Sequence, residues 1–153
     1  MNSFEILLAD FAEKTGVTPE GTSANSVDVI ADDVMVSAQY RPERDDCVIF
    51  TLPVEDQEPD ERTLRRALEL AAHGAGTRGH FLGITKGMLV LSAVLPLDGL
   101  TSDEFGSRLL ELAAASRSVA EALGEGAAAE EPSNGESAEG TELQGGVADL
   151  IPV

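Results

Sequence analysis

The apolar positions of this chain fall into short runs whose period changes several times before residue 123. Phe4, Leu7, Leu8, Phe11 and Ala12 recur at the three- and four-residue spacing of one helical face. Asn2 with Glu5 three residues on has the form of a capping box, and Gly16 is placed to end the helix. A loop rich in Pro, Gly, Ser and Asn follows over residues 18–26. Three β-like runs come next. The first, 27–31, is short, and Asp32-Asp33 makes a tight turn into the second. There Val34, Val36, Ala38 and Tyr40 alternate with Met35, Ser37 and Gln39, the period-2 pattern of a half-buried strand. The third run, 47–54, is entered through the polar connection 41–46. Short links between consecutive strands predict an antiparallel meander.

A second helix is predicted after Pro59, with Asp60 as N-cap, a stripe of Leu64, Ala67, Leu68, Ala71 and Ala72, and Gly74 as its stop. Runs 80–85 and 88–95 read as a hairpin across Lys86-Gly87. Thr101 and Glu104 form a second capping box, and Leu100 is placed to staple onto Phe105. The helix they open carries a stripe of Phe105, Leu109, Leu112, Ser116, Val119 and Leu123. The order α-β-β-β-α-β-β-α predicts an α+β fold, a twisted antiparallel sheet with helices packed on it. One run breaks the two-layer pattern. In 88–95 both faces are apolar, with Leu89, Leu91, Ala93 and Leu95 on one side and Met88, Val90 and Val94 on the other. Helices account for one of these faces; the other calls for a subunit or a ligand.

Composition changes the picture at residue 124. Residues 124–153 are rich in Gly, Ala, Ser and Glu and contain no Lys or Arg. The expected organisation is therefore a domain over 1–123 and a disordered acidic tail over 124–153. The mildly apolar Asp149-Leu150-Ile151-Pro152-Val153 reads first as an unstructured end and second as a short docking motif.

The formal net charge of -18 argues against a nucleic-acid partner, whose phosphates need a Lys/Arg surface. It also argues against an anionic membrane surface. Membrane insertion is not expected, because the longest apolar stretch, 88–95, is too short to span a bilayer. No basic, apolar leader opens the chain, which points to a cytoplasmic protein. A single cysteine, Cys47, excludes an internal disulfide and reads as a small buried apolar residue.

Candidate chemistry is thin. Gly74-Ala75-Gly76-Thr77-Arg78-Gly79 spells GxGxxG, but a helix precedes it and a strand follows, the reverse of a dinucleotide site. The histidines, His73 and His80, lack neighbouring Cys or carboxylate ligands and make a weak metal site. Asp32, Asp33, Asp45 and Asp46 sit in turns, where solvation explains them. The reading is no catalytic residue, no cofactor and no metal.

The stretch 81–91, then Leu95-Pro96-Leu97-Asp98-Gly99-Leu100, then a capped amphipathic helix, resembles the C-terminal half of the Tir chaperone (CesT-like) family of class I type III secretion chaperones. The opening helix, 4–11, resembles the first helix of the same bacterial family. The resemblance spans about residues 3–123. It implies a non-enzymatic homodimer that binds the N-terminal segment of a secreted effector and keeps it soluble and secretion-competent. On that basis Phe4, Leu7, Leu8, Phe11, Val34 and Val36 are the candidate effector-binding residues, as walls and edge of a groove that receives an added strand. A stripe such as the one on the first helix also serves as plain core. The run 27–31 and the strand 34–40 are the candidate open edges. Leu64, Leu68, Met88 and Val90 are the candidate dimer residues, chosen for the two-sided strand and for the family's pairing through this region. Two other readings stay open: an adaptor or regulator on the same fold with no secretion client, and an acidic inhibitor or immunity-type protein that covers a basic partner.

Overall fold

The computed structural model describes residues 1–54, 58–72, 74 and 76–130, with side chains to residue 124. Among them the order is α1 (Ser3–Thr15), β1 (Glu20–Ser23), β2 (Ser26–Ala31), β3 (Val34–Arg41), β4 (Asp46–Thr51), α2 (Glu61–Ala72), β5 (Phe81–Thr85), β6 (Met88–Pro96) and α3 (Ser102–Glu130). This is an α+β fold. The six strands form one sheet in the order β1-β2-β3-β4-β6-β5. Every pairing is antiparallel, so β1 to β4 are a meander and the β5–β6 hairpin returns with β6 against β4.

Local chemistry sets the joints. Asn2 accepts from the Glu5 backbone N–H at 2.8 Å while the Glu5 carboxylate takes the Asn2 N–H at 2.8 Å, closing the box that opens α1. Gly16 closes that helix in the left-handed conformation, with φ 75°. Thr101 and Glu104 reproduce the reciprocal pattern at the head of α3. Asp60 caps α2 by accepting from the Thr63 N–H at 2.8 Å. Both two-residue hairpin loops, Asp32-Asp33 and Lys86-Gly87, have positive φ at both positions, as the twist of the flanking strands requires.

One strand was not predicted. The loop expected over residues 18–26 contains β1, which pairs with β2 through Glu20↔Asp28, Gly21↔Val27 and Ser23↔Ser26, with a register shift between Gly21 and Ser23. All four of its residues are exposed, so no apolar alternation betrays it; the backbone ladder alone forms it.

The core lies between α3 and one sheet face. That face presents Val27, Val29, Ala31, Val36, Ala38, Tyr40, Cys47, Ile49, Leu89, Leu91, Ala93 and Leu95, all buried. Phe105, Leu109, Leu112, Ser116, Val119 and Leu123 of α3 are buried against it, the stripe read from the sequence. α1 and α2 flank α3. Phe11 of α1 meets Phe105 edge-on with ring centroids 5.4 Å apart, and Phe4 stacks on Tyr40 of β3, also at 5.4 Å. Ser102 Oγ donates to Asp10 at 2.5 Å, tying the start of α3 to the middle of α1.

The stripe predicted on α2 is rotated. Ala67 is its buried residue, and Leu64 and Leu70 pack on the core, while Leu68 is 72% exposed. Successive helical residues turn by about 100°. An arc centred on Ala67 therefore carries Leu68 off the packed side, and Leu70 takes its place.

Candidate functional site

The distinctive surface of this molecule is the sheet face opposite α3. Residues paired across antiparallel strands share a face. Starting from Val90, which opposes Gly83, the outer face of β6 carries Met88, Val90, Ser92 and Val94. Ser92 opposes Phe50 on one side and Phe81 on the other, and Val94 opposes Val48. The result is an apolar band over β4, β6 and β5. Toward β2 and β3 the same face turns polar, with Ser37 donating to Asp28 at 2.7 Å, and then apolar again where Ile30 opposes Met35. Phe81 is 68% exposed, and Ile30, Met35 and Val94 are also exposed. No element among the described residues lies over this face. The apolar double character of 88–95 thus has a physical counterpart: one side builds the core and the other meets solvent in the single chain. The same signal is present in Val48 and Phe50, on the outer side of a strand whose inner side is Cys47 and Ile49.

The candidate dimer residues lie on two surfaces. Met88 and Val90 sit half-buried in the outer band, while Leu68 projects from α2. Leu64 is half-buried and turned to the core. The candidate effector-binding residues divide differently. Phe4, Leu7, Phe11 and Val36 are buried in the chain itself, at 3%, 7%, 5% and 0% exposure. Leu8 and Val34 retain exposure, and Val34 lines a cleft of about 160 Å³ with Met35, Leu52, Pro53 and Ala120.

The expected strand edges change place. β1 covers the free side of β2, and β3 lies between β2 and β4, so neither 27–31 nor 34–40 is an edge. The open edges are β1 and β5. On β5, Phe81 and Ile84 stand exposed beside unpaired backbone groups.

Charged groups act mainly as clasps. Arg41 grips Asp46 with two bonds of 2.7 Å beside Cys47. These bonds hold the Asp46 carboxyl below its usual range, against the opposing effect of burial. Asp45 accepts from Ser3 at 2.6 Å and from Tyr40 at 3.2 Å, which fixes the head of α1 to the β3–β4 turn. Asp10 is held low chiefly by its bond from Ser102. Arg117 of α3 pairs with Asp32 at the β2–β3 turn. Burial, reinforced by the neighbouring Asp46 charge, pushes the Cys47 thiol up to about 12, far from the range of a reactive thiolate.

The glycine-rich connection behaves as a turn. Gly79 donates its N–H to the Gly74 carbonyl at 2.8 Å, and His80 Nδ1 meets the Thr77 carbonyl at 3.0 Å. It leads out of α2 and into β5, so it does not open a helix. His73 lies outside the described residues. Among the described residues no group of three or more His, Cys, Asp or Glu is arranged to hold a metal, and no helix is long and apolar enough to cross a membrane.

The sequence matches the model of the Tir chaperone protein (CesT) family over residues 6–119, which is most of the chain. The chain belongs to the Tir chaperone protein (CesT) family. Solved structures agree on the architecture of this CesT-family chaperone. A chain of the ExsC–ExsE complex is similar with a TM-score of 0.60 at 20% identity, covering 74% of this chain and 88% of that one. A chain of the HopA1–SchA chaperone–effector complex gives 0.59 at 18%, covering 78% and 94%. A chain from the Yersinia pestis type III secretion chaperone SycH with a stable fragment of YscM2 gives 0.57 at 17%, covering 76% and 98%. No curated protein sequence matches the chain. The family is one of chaperones, and the fold is shared with solved secretion-chaperone structures.

Proposed function

We propose that this CesT-family chaperone works in the cytoplasm as a homodimer, binds the N-terminal segment of a secreted effector, and keeps that segment soluble and ready for secretion. The observation that carries the reading is the family match over residues 6–119, on a chain whose sheet has an apolar face left uncovered by the described residues. Effector binding in the HopA1–SchA complex belongs to those proteins and supports the reading by family analogy.

The role assigned to each surface follows from exposure. A second copy packs over Met88, Val90 and the neighbouring outer band, with Leu68 of α2 at its margin. An extended effector segment adds to an open sheet edge and places alternate apolar side chains against Leu8 and Val34, with Phe4, Leu7, Phe11 and Val36 as the packed floor. Residues 1–123 act as the folded chaperone unit and 124–153 as an acidic extension. Such binding relies on apolar anchors, so it should resist salt, whereas an acidic inhibitor on a basic partner should release steeply as salt rises.

The test is affinity purification of the tagged chain from its native cells with identification of the bound regions. A stoichiometric partner, held through an N-terminal segment and retained at about 1 M salt where the Debye length is about 3 Å, supports the proposal. A folded basic domain that elutes with salt overturns it.

A further inference from the structure

A groove of about 380 Å³ runs between α3 and the turn that leads into β5, lined by Arg78, His80, Leu110, Glu111 and Ala114. Its floor is apolar. Leu110 is 54% exposed although it lies on the best-packed helix of the molecule. The far wall is fixed: Thr77 is buried, His80 meets the Thr77 carbonyl, and Arg78 Nη2 donates to Ser118 at 3.0 Å. Among the described residues, Arg78 has no carboxylate partner. Glu111, the acid on the groove rim, is engaged by Arg108 at 3.4 Å. The groove therefore presents an apolar floor beside a guanidinium whose charge is not neutralised.

We propose that this groove is a docking site for the chain's own segment Asp149-Leu150-Ile151, with Leu150 and Ile151 on Leu110 and Ala114 and Asp149 on Arg78. Three observations choose this occupant. First, residues 124–153 contain no Lys or Arg, and their strongest apolar cluster is Leu150-Ile151, directly after an acid. That order matches a cation beside an apolar floor. Second, the tether fits. Ala114 and Glu130 belong to one helix, and their separation along its axis is about 24 Å. Residues 131–149 lie between, and a stretch of that length extends to at most about 63–68 Å, more than the span. A connection long enough to bridge the span makes the docking intramolecular. Third, the other cleft on α3, beside Val34 and Ala120, is less suitable. Its Arg117 already pairs with Asp32, and Asp33 on its lining repels an acidic segment.

The docked segment would cover Leu110 whenever nothing else does, an intramolecular cap on an exposed apolar site. The proposal does not depend on the chain having an effector client.

Disulfide trapping in the full chain tests it. Ala114→Cys is paired with Ile151→Cys and, as a tether-only control, with Thr141→Cys. The native thiol, Cys47, is buried and does not compete. The expected result is an intrachain disulfide that forms about tenfold faster from position 151 than from 141, equivalent to about 1.4 kcal/mol of preference. Leu110→Glu and, separately, Arg78→Glu should each remove most of that advantage. Both sites are exposed, so neither change threatens the fold. Equal rates from 141 and 151, an advantage untouched by both groove variants, or a disulfide formed only between chains in proportion to concentration would overturn the proposal.

Discussion

A β-carbon built on Gly76 would lie 2.7 Å from the Leu70 carbonyl oxygen and 3.0 Å from Leu70 Cδ2. The obstructing atom is backbone in the last turn of α2, so it cannot swing away. Gly76→Ala should therefore cost about 1–3 kcal/mol, seen as a lower urea midpoint at unchanged slope. Gly83 in β5 is the contrast, because nothing lies within 4 Å of its added β-carbon, and Gly83→Ala should be close to neutral. The Arg41–Asp46 clasp makes a second prediction at this scale. Its bonds depress the folded-state pKa of Asp46, so its contribution is complete above the ordinary carboxylate range, near pH 4, and is lost as pH falls through the depressed value. Thermal unfolding of the native chain and of Asp46→Asn should differ most at neutral pH and converge in acid. A difference that persists unchanged to pH 2 would show that the charge is not what matters. At residue scale much was legible: Asn2, Asp60 and Thr101 as caps and Cys47 as buried filler all follow from side-chain chemistry alone. Arg41 with Asp46 was not, because the pair depends on which residues β3 and β4 place opposite each other.

Elements owe their identity here to period and caps, and their exposure to packing. The α3 stripe was readable because that helix packs against the sheet and both neighbouring helices, which buries a wide arc. Thr101→Ala should remove one side of the box that opens it and cost about 1 kcal/mol, while Thr101→Asp should retain most of that stability. Calorimetric midpoints of the pair separate the cap from any loss of packing. Leu112→Ala, in the fully buried centre of the same stripe, should cost about 2–5 kcal/mol. α2 was readable as a helix but not in its rotation. With Leu64, Ala67, Leu68 and Leu70 all apolar, the sequence leaves the packed arc open, and contact with α3 and β5 selects Ala67 and Leu70 over Leu68. β1 was not readable because its four residues are exposed and it gains only a backbone ladder.

At the scale of the whole molecule, the sheet has one face buried under α3 and one face apolar over β4, β6 and β5, with no element upon it among the described residues. On the proposed reading a second copy covers that band. Val90→Glu should then shift light-scattering mass toward the monomer at micromolar concentration while leaving the circular dichroism of the fold unchanged. Leu68→Glu, at a 72%-exposed position, should weaken association with no loss of monomer stability. Unchanged mass for both variants would remove α2 and β6 from the interface.

Apart from β1, the order of helices and strands, the caps, the hairpin turns and the two-sided apolar strand were set by the sequence itself. Each depends on neighbours a few residues apart or on a repeating period. Tertiary structure decided the rest: that β6 inserts beside β4, that β1 takes the edge from β2, and that Phe4, Leu7, Phe11 and Val36 are buried core rather than surface. It also decided that Phe81 and Phe50 flank Ser92 on one open face. Those outcomes depend on strand order and register across the whole sheet, which a local apolar pattern fixes only as far as the choice between two faces.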